Sequence, residues 1–260
     1  MNRLEIQKVS ANHGWLWIQH GYRLIMRSPL QAFSLAMTFA LGLFVAMLIP
    51  VAGVLFAVVL MPVLMAGYMR ACRALEYNEL VYPRYSFAGF QSRTAQLVSV
   101  GGILLAGMMA VSMVVAGMGG ENLNAILSAY QASQDPTALI NAMMAPESGL
   151  HMTMLVGFIL FFLLMLALQF APMLVFFDGV TPRDALRMSL VASFKNIAPF
   201  SVYSLIMQLI AFAVSAIPFG LGWIILVPIG LTSMYVAYRD IFSEVKEAEV
   251  KETEAPAAGE

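Results

Sequence analysis

The stretch QLVSVGGILLAGMMAVSMVVAG, residues 96–117, contains no charged side chain. The hydrocarbon core of a bilayer takes about 20 consecutive apolar residues of α-helix, so this run predicts a membrane-spanning helix. Around it, no lysine or arginine occurs between Arg93 and Arg183. The 14 basic residues fall instead in four clusters, at positions 3–27, 70–93, 183–195 and 239–251, with apolar stretches between them. Short loops rich in Lys/Arg stay cytoplasmic, so all four clusters can be placed on one side of a membrane.

Composition agrees with that class. The chain is 60% hydrophobic and 11% charged, with a mean hydropathy of +0.80. A soluble domain carries roughly 25% charged residues to keep its surface wet. A net charge of -1 says little, because the charges are sorted by side. Cys72 is the single cysteine, so no intrachain disulfide forms. The opening MNRLEIQKVSANHGW has neither an apolar core nor a small-residue cleavage site. No cleaved signal peptide is expected, and the first span doubles as the targeting signal.

Six segments read as spans: Leu30–Ile49, Gly53–Arg70, Gln96–Gly117, Met152–Phe176, Phe200–Ile217 and Gly220–Tyr238. They predict an all-α integral membrane protein, with six transmembrane helices arranged as three hairpins in a membrane domain over residues 1–241. The expected location is the bacterial inner membrane, multi-pass, with both termini cytoplasmic. The long outer loop, 118–151, is predicted to hold two short surface helices. Leu123, Ile126, Leu127 and Tyr130 mark the first, and the Asp135-Pro136 start marks the second. The polar, mostly acidic run 242–260 predicts a disordered cytoplasmic tail.

An internal repeat is visible, with units at about 12–73 and 182–240 and a middle hairpin at about 86–177. Each unit has a basic lead-in, a proline at the hairpin tip (Pro50, Pro218) and a proline inside the return helix (Pro62, Pro228). An arginine follows eleven residues later (Arg73, Arg239). Both copies run the same way, so the repeat is parallel. The lead-ins predict cytoplasmic interfacial amphipathic helices. In the first, Trp15, Ile18, Tyr22, Ile25 and Met26 share a face beside a polar stripe of Gln19, His20, Arg23 and Arg27. Trp15, Trp17, Arg23 and Arg27 are the expected interfacial anchors. In the last, Thr181-Pro182-Arg183-Asp184 is a capped helix start, and Leu186, Leu190, Phe194 and Ile197 are the expected buried face.

No ionisable residue lies well inside a predicted span, which counts against an ion-coupled pump. Arg70 and Arg239 sit at span ends, and Asp178 is expected to be wet. The polar groups expected inside are neutral: Thr38, Ser99, Ser112, Gln169, Ser204, Gln208 and Ser215. Gln169 and Gln208 stand out. They either hydrogen-bond across helices, or line a small cavity near Pro172 and Pro228. His13 and His20 fall on the inner side and His151 on the outer, so no metal site is expected, and no cofactor. Cys72, between Arg70 and Arg73, is read as a packing residue rather than an activated thiol. The basic clusters suit anionic membrane lipids, and orientation explains them without nucleic acid.

The segment HGWLWIQHGYRLIMRSP, His13 to Pro29, resembles the opening of a family of uncharacterised multi-pass inner-membrane proteins of proteobacteria. Members share an HGWxWIxxG motif followed by a basic residue and proline. The resemblance implies location and hairpin architecture, and it brings no catalytic residues. A second similarity is to the membrane region that accompanies some glycerophosphodiester phosphodiesterases. This sequence contains no phosphodiesterase domain, so that activity is not carried over. The expected role is a non-enzymatic accessory or envelope-organising protein, working through lipids, a protein partner or a second copy of the chain. The alternative is a passive transporter or lipid/amphiphile-handling protein. A membrane enzyme would require Asp178, Asp184 or His20 to converge in a cytoplasmic pocket.

Overall fold

The computed structural model describes residues 4–50, 52–144, 150–218 and 221–244. Helix α1 (His13–Arg27) leads through Ser28 into α2 (Pro29–Met47), where proline occupies the first turn without losing a bond. Helix α3 (Gly53–Glu76) follows. A 3-10 turn at Pro83–Phe87 and the short α4 (Ala88–Gln91) precede α5 (Thr94–Ser133) and α6 (Pro136–Met144). Helix α7 (His151–Leu168) is continued by α8 (Ala171–Met173) and a π-helical turn at Leu174–Asp178. Helices α9 (Pro182–Lys195), α10 (Ile197–Ser215) and α11 (Leu221–Ile241) complete the bundle.

Among the described residues, six helices are long and apolar enough to cross a membrane: Pro29–Met47, Gly53–Glu76, Thr94–Gly120, His151–Asp178, Ile197–Ser215 and Gly222–Ile241. Their bounds lie close to the predicted ones. The largest shift is in α3, which runs past Arg70 to Glu76. Large apolar side chains face outward, Phe212 at 84% exposure and Leu30 at 83%. Such a surface is stable against lipid tails, which are as apolar as leucine.

Within the bundle α2 packs on α3, α5 on α3 and α7, and α10 on α11. The shorter helices tie these layers together. Helix α1 lies on α11 and α10, the 3-10 turn and α4 lie on α3, and α9 lies on α7. Trp17, Tyr68, Met69, Leu97, Phe170 and Ile241 form the centre of the core.

Three expectations are corrected. The face of α1 that is buried is Gly14, Trp17, Ile18, Gly21, Leu24 and Ile25, whereas Trp15, Tyr22 and Met26 are exposed. The two glycines decide this, because they let α1 approach α10 and α11 more closely than any side chain would allow. The first outer helix forms as predicted: a non-helical kink at Gly120, whose φ of 54° suits glycine, separates it from the span, and it runs to Ser133. The second starts as predicted, with Thr137 N–H donating to Asp135 Oδ1 at 2.9 Å. The tail does not begin at 242: strand β2 (Phe242–Glu244) pairs antiparallel with β1 (Leu4–Ile6). The rest of that tail lies outside the described residues. On α9 the buried face is Ala185, Ser189, Ala192 and Ser193, while Phe194 and Ile197 are exposed.

Candidate functional site: a cavity between α10 and α11

The inner wall of the site comes from a broken helix. Pro172 has no N–H to continue the ladder from α7, so Gln169 and Phe170 leave the helical path. Ser189 of α9 satisfies the freed groups: its Oγ donates to the Leu166 carbonyl at 2.8 Å and accepts from Phe170 N–H at 3.0 Å. Ser193 donates to Ser189 O at 2.9 Å and lies 3.4 Å from Leu166 O. This plug holds Gln169 at the edge of the break.

Trp17 closes one end. Its indole N–H donates to Asp240 Oδ2 at 2.8 Å, and His13 Nδ1 meets the same oxygen at 2.6 Å. Its ring lies against Phe200, with centroids 5.0 Å apart, and edge-on to Tyr203 at 6.4 Å. Gly14 sits against the Pro199 carbonyl and Gly21 against Ser233. Thr232 Oγ1 lies within hydrogen-bond reach of both the Pro228 carbonyl, at 2.9 Å, and the Gly21 carbonyl, at 3.2 Å. His13, Gly14, Trp17 and Gly21 of the opening motif therefore fasten α1 to the α10–α11 pair.

Between those two helices lies a cavity of about 720 Å³, within the roughly 300–1,000 Å³ of typical ligand pockets. Tyr203, Met207 and Gln208 face it from α10, and Trp223, Val227 and Gly230 from α11. Gly230 contributes space: a Cβ there would have only Met207 Cε at 3.5 Å and Tyr203 Oη at 4.0 Å for company. Among the described residues, no Asp, Glu, Lys, Arg or His lines the cavity. Its hydroxyls are engaged with carbonyls: Tyr203 with Gly230, Ser215 with Ala211 and Ser233 with Ile229. Gln169 and Gln208 both line it, and neither amide hydrogen-bonds to another group among the described residues.

The other predicted residues go elsewhere. Trp17, expected as an interfacial anchor, is 1% exposed and belongs to the core, because its N–H finds Asp240 inside. Trp15, Arg23 and Arg27 are exposed. Thr38, Ser99, Ser112 and Ser215 bond back to their own helices. Apart from half-buried Thr38, these groups and Ser204 face outward instead of lying inside. Cys72 is buried in the core. Asp178 is half-buried rather than wet, and accepts a bond from Tyr238 Oη. Asp184 pairs with Thr181 at the start of α9, and His20 faces a different, arginine-lined pocket. The polar side chains that matter most were missed: Ser189, Ser193, Thr232, Ser233 and Asp240. One signal was available, since Thr232 stands four residues after Pro228 and Ser193 four after Ser189, the spacing at which a hydroxyl reaches the carbonyl one turn back.

The comparisons place the chain among membrane proteins. It is 30% identical over 224 residues to a protein of Burkholderia thailandensis described as a probable inner membrane protein, covering 84% of this chain and 80% of that one. The chain belongs to that family. Membrane residence thus rests on two independent grounds, the relative and the six apolar helices. No family model matches the chain. No solved structure matches it either.

Proposed function

We propose that this membrane protein is a non-enzymatic binder of a neutral amphiphile, held in the α10–α11 cavity. The observation that carries the proposal is that Gln169, at the end of α7, and Gln208 of α10 line one mostly apolar cavity whose hydroxyls are already engaged with carbonyls. Two amides supply donors and acceptors to a ligand's carbonyl or hydroxyl groups, and the walls supply apolar burial. A charged ligand would find no counter-ion in the lining. A hydrolytic role would need a base beside a hydroxyl, and no such group lines the cavity. The accessory role expected first from the sequence gives way here to its alternative, a lipid/amphiphile-handling protein.

Native mass spectrometry of the protein, extracted from its own membrane in a lipid-preserving disc, tests this. The expected result is one retained neutral lipid or small molecule, lost when Gln169→Leu and Gln208→Leu are combined. Retention unchanged by the pair rules the cavity out as its site. A stoichiometric protein partner with no small molecule would restore the accessory role.

The same proposal carries a topology. The six spans form three hairpins with both termini in the cytoplasm, and α1 and α9 lie along the cytoplasmic interface. The basic clusters support that orientation. A parallel repeat is supported by the matched prolines and by a recurring mode of docking. Each lead-in meets a return helix near its proline: Gly89 at Val63 beside Pro62, Ser189 at Phe170 beside Pro172, and Gly21 of the first lead-in at Ser233 of the last return helix, beyond Pro228. A reporter active only outside the cytoplasm should be active when fused at Gln131 and silent after Phe242, and the reverse pattern would invert the topology.

A further inference from the structure

We infer that a second site, on the face of α11 opposite the cavity, binds a phosphate-bearing anion, as found on an anionic phospholipid headgroup. At 100° per residue, Tyr235, Val236 and Arg239 point away from Gly230, Met234 and Ala237, which line the cavity. They close a pocket of about 270 Å³ with Glu76 from the end of α3 and His20, Arg23 and Arg27 from α1. The three α1 residues follow one another at i, i+3 and i+7, a single strip of the helix.

The internal bonding of the pocket leaves a surplus of donors. Glu76 Oε2 accepts from Tyr235 Oη at 2.6 Å, and Oε1 pairs with Arg239. Arg27 donates to the Glu76 backbone carbonyl at 3.0 Å. Both oxygens of Glu76, the only carboxylate lining the pocket among the described residues, are thus engaged. Arg23 has no ion pair or hydrogen bond among the described residues. Three guanidinium charges against one carboxylate leave a formal excess of two positive charges. Each guanidinium carries five N–H donors and no acceptor, and its planar fork matches phosphate oxygens two at a time. Other arginines are engaged: Arg70 with Glu79 and the Tyr85 ring, Arg73 over Phe177, and Arg84 over Tyr82. The pocket opens where three helices end, the level at which a bilayer presents its headgroups to basic side chains.

Full-length protein in discs of phosphatidylcholine doped with phosphatidylglycerol tests the site, with bound lipid counted by native mass spectrometry. Wild type should retain phosphatidylglycerol in preference to phosphatidylcholine. Arg23→Gln with Arg27→Gln should weaken that retention about thirtyfold, at about 1 kcal/mol for each arginine. Arg84→Gln with Arg183→Gln, which removes the same charge elsewhere, should leave it intact. Displacement of the lipid by millimolar inorganic phosphate, with phosphate then binding lipid-free protein, would identify free phosphate as the ligand. Resistance to displacement would identify the lipid. Equal retention of the two lipids, or equal loss in both variant pairs, would overturn the inference. Should the first pair fail to fold, Arg23→Gln alone carries the test, since that side chain has no partner to lose among the described residues. Gly230→Leu should leave this signal unchanged, so the two sites succeed or fail separately.

Discussion

Helix pairs α2–α3 and α10–α11 share their punctuation, a proline at the tip and another inside the return helix, yet one is filled and the other open. The residue two places after the inner proline makes the difference visible. In α3 it is Leu64, buried and seated on Gly42 of α2. In α11 it is Gly230, which leaves Tyr203 and Met207 of α10 without a side chain between them. Helix α2 buries Ala32, Leu35, Ala36 and Ala46 within the protein, whereas α10 buries only Pro199 and Phe200. The same punctuation thus accompanies a filled pair and an open pair, and a few residues set which is which.

The difference can be broken most severely from the filled side. Leu64→Ala should cost about 2–5 kcal/mol, the range for a large side chain removed from a packed core. Thermal unfolding in detergent would show it, and no ligand retention should appear at the new gap. The next largest effect lies at the fastening of α1. Asp240→Ala removes an ionised partner from both Trp17 and His13, worth about 1.5–3 kcal/mol, and it should loosen Trp17. A red shift of tryptophan emission, absent in a Trp17→Phe background, would read that loosening. Ser189→Ala should cost about 1–2 kcal/mol, because the Phe170 N–H loses its partner while Ser193 remains near the Leu166 carbonyl. Gln208→Leu sharpens the contrast from the open side. It should shift stability by less than about 0.5 kcal/mol, as exposed positions do, while weakening retention of the cavity ligand.

Much of this was legible in the sequence, for a physical reason. Spans are set by length and hydropathy, and the stretch around 96–117 leaves no other solvent than lipid. Gln169 and Gln208 stand out because an amide is rare in such runs, and Gln169 lies three residues before Pro172, where the helix breaks. What the sequence hid are contacts between distant segments. Asp240 looks like an ordinary charge at a span end until His13 and Trp17 fold onto it. Ser189 looks like a polar residue on a surface helix until Phe170 needs its oxygen. Periodicity also misassigned the buried face of α1. An apolar stripe through Trp15 and Tyr22 reads as well as one through Trp17 and Leu24, and only Gly14 and Gly21 distinguish them. A stripe of apolar residues loses its meaning where lipid covers the opposite face.

The proposed neutral ligand would fill the space opposite Gly230. Native mass spectrometry of Gly230→Leu beside wild type, each in a disc of its own membrane, tests it most directly. A leucine there supplies the side chain that Leu64 supplies in α3. The prediction is a folded protein, of wild-type stability or better, that has lost its neutral ligand. A Gly230→Leu protein that folds and still carries that ligand would contradict the account.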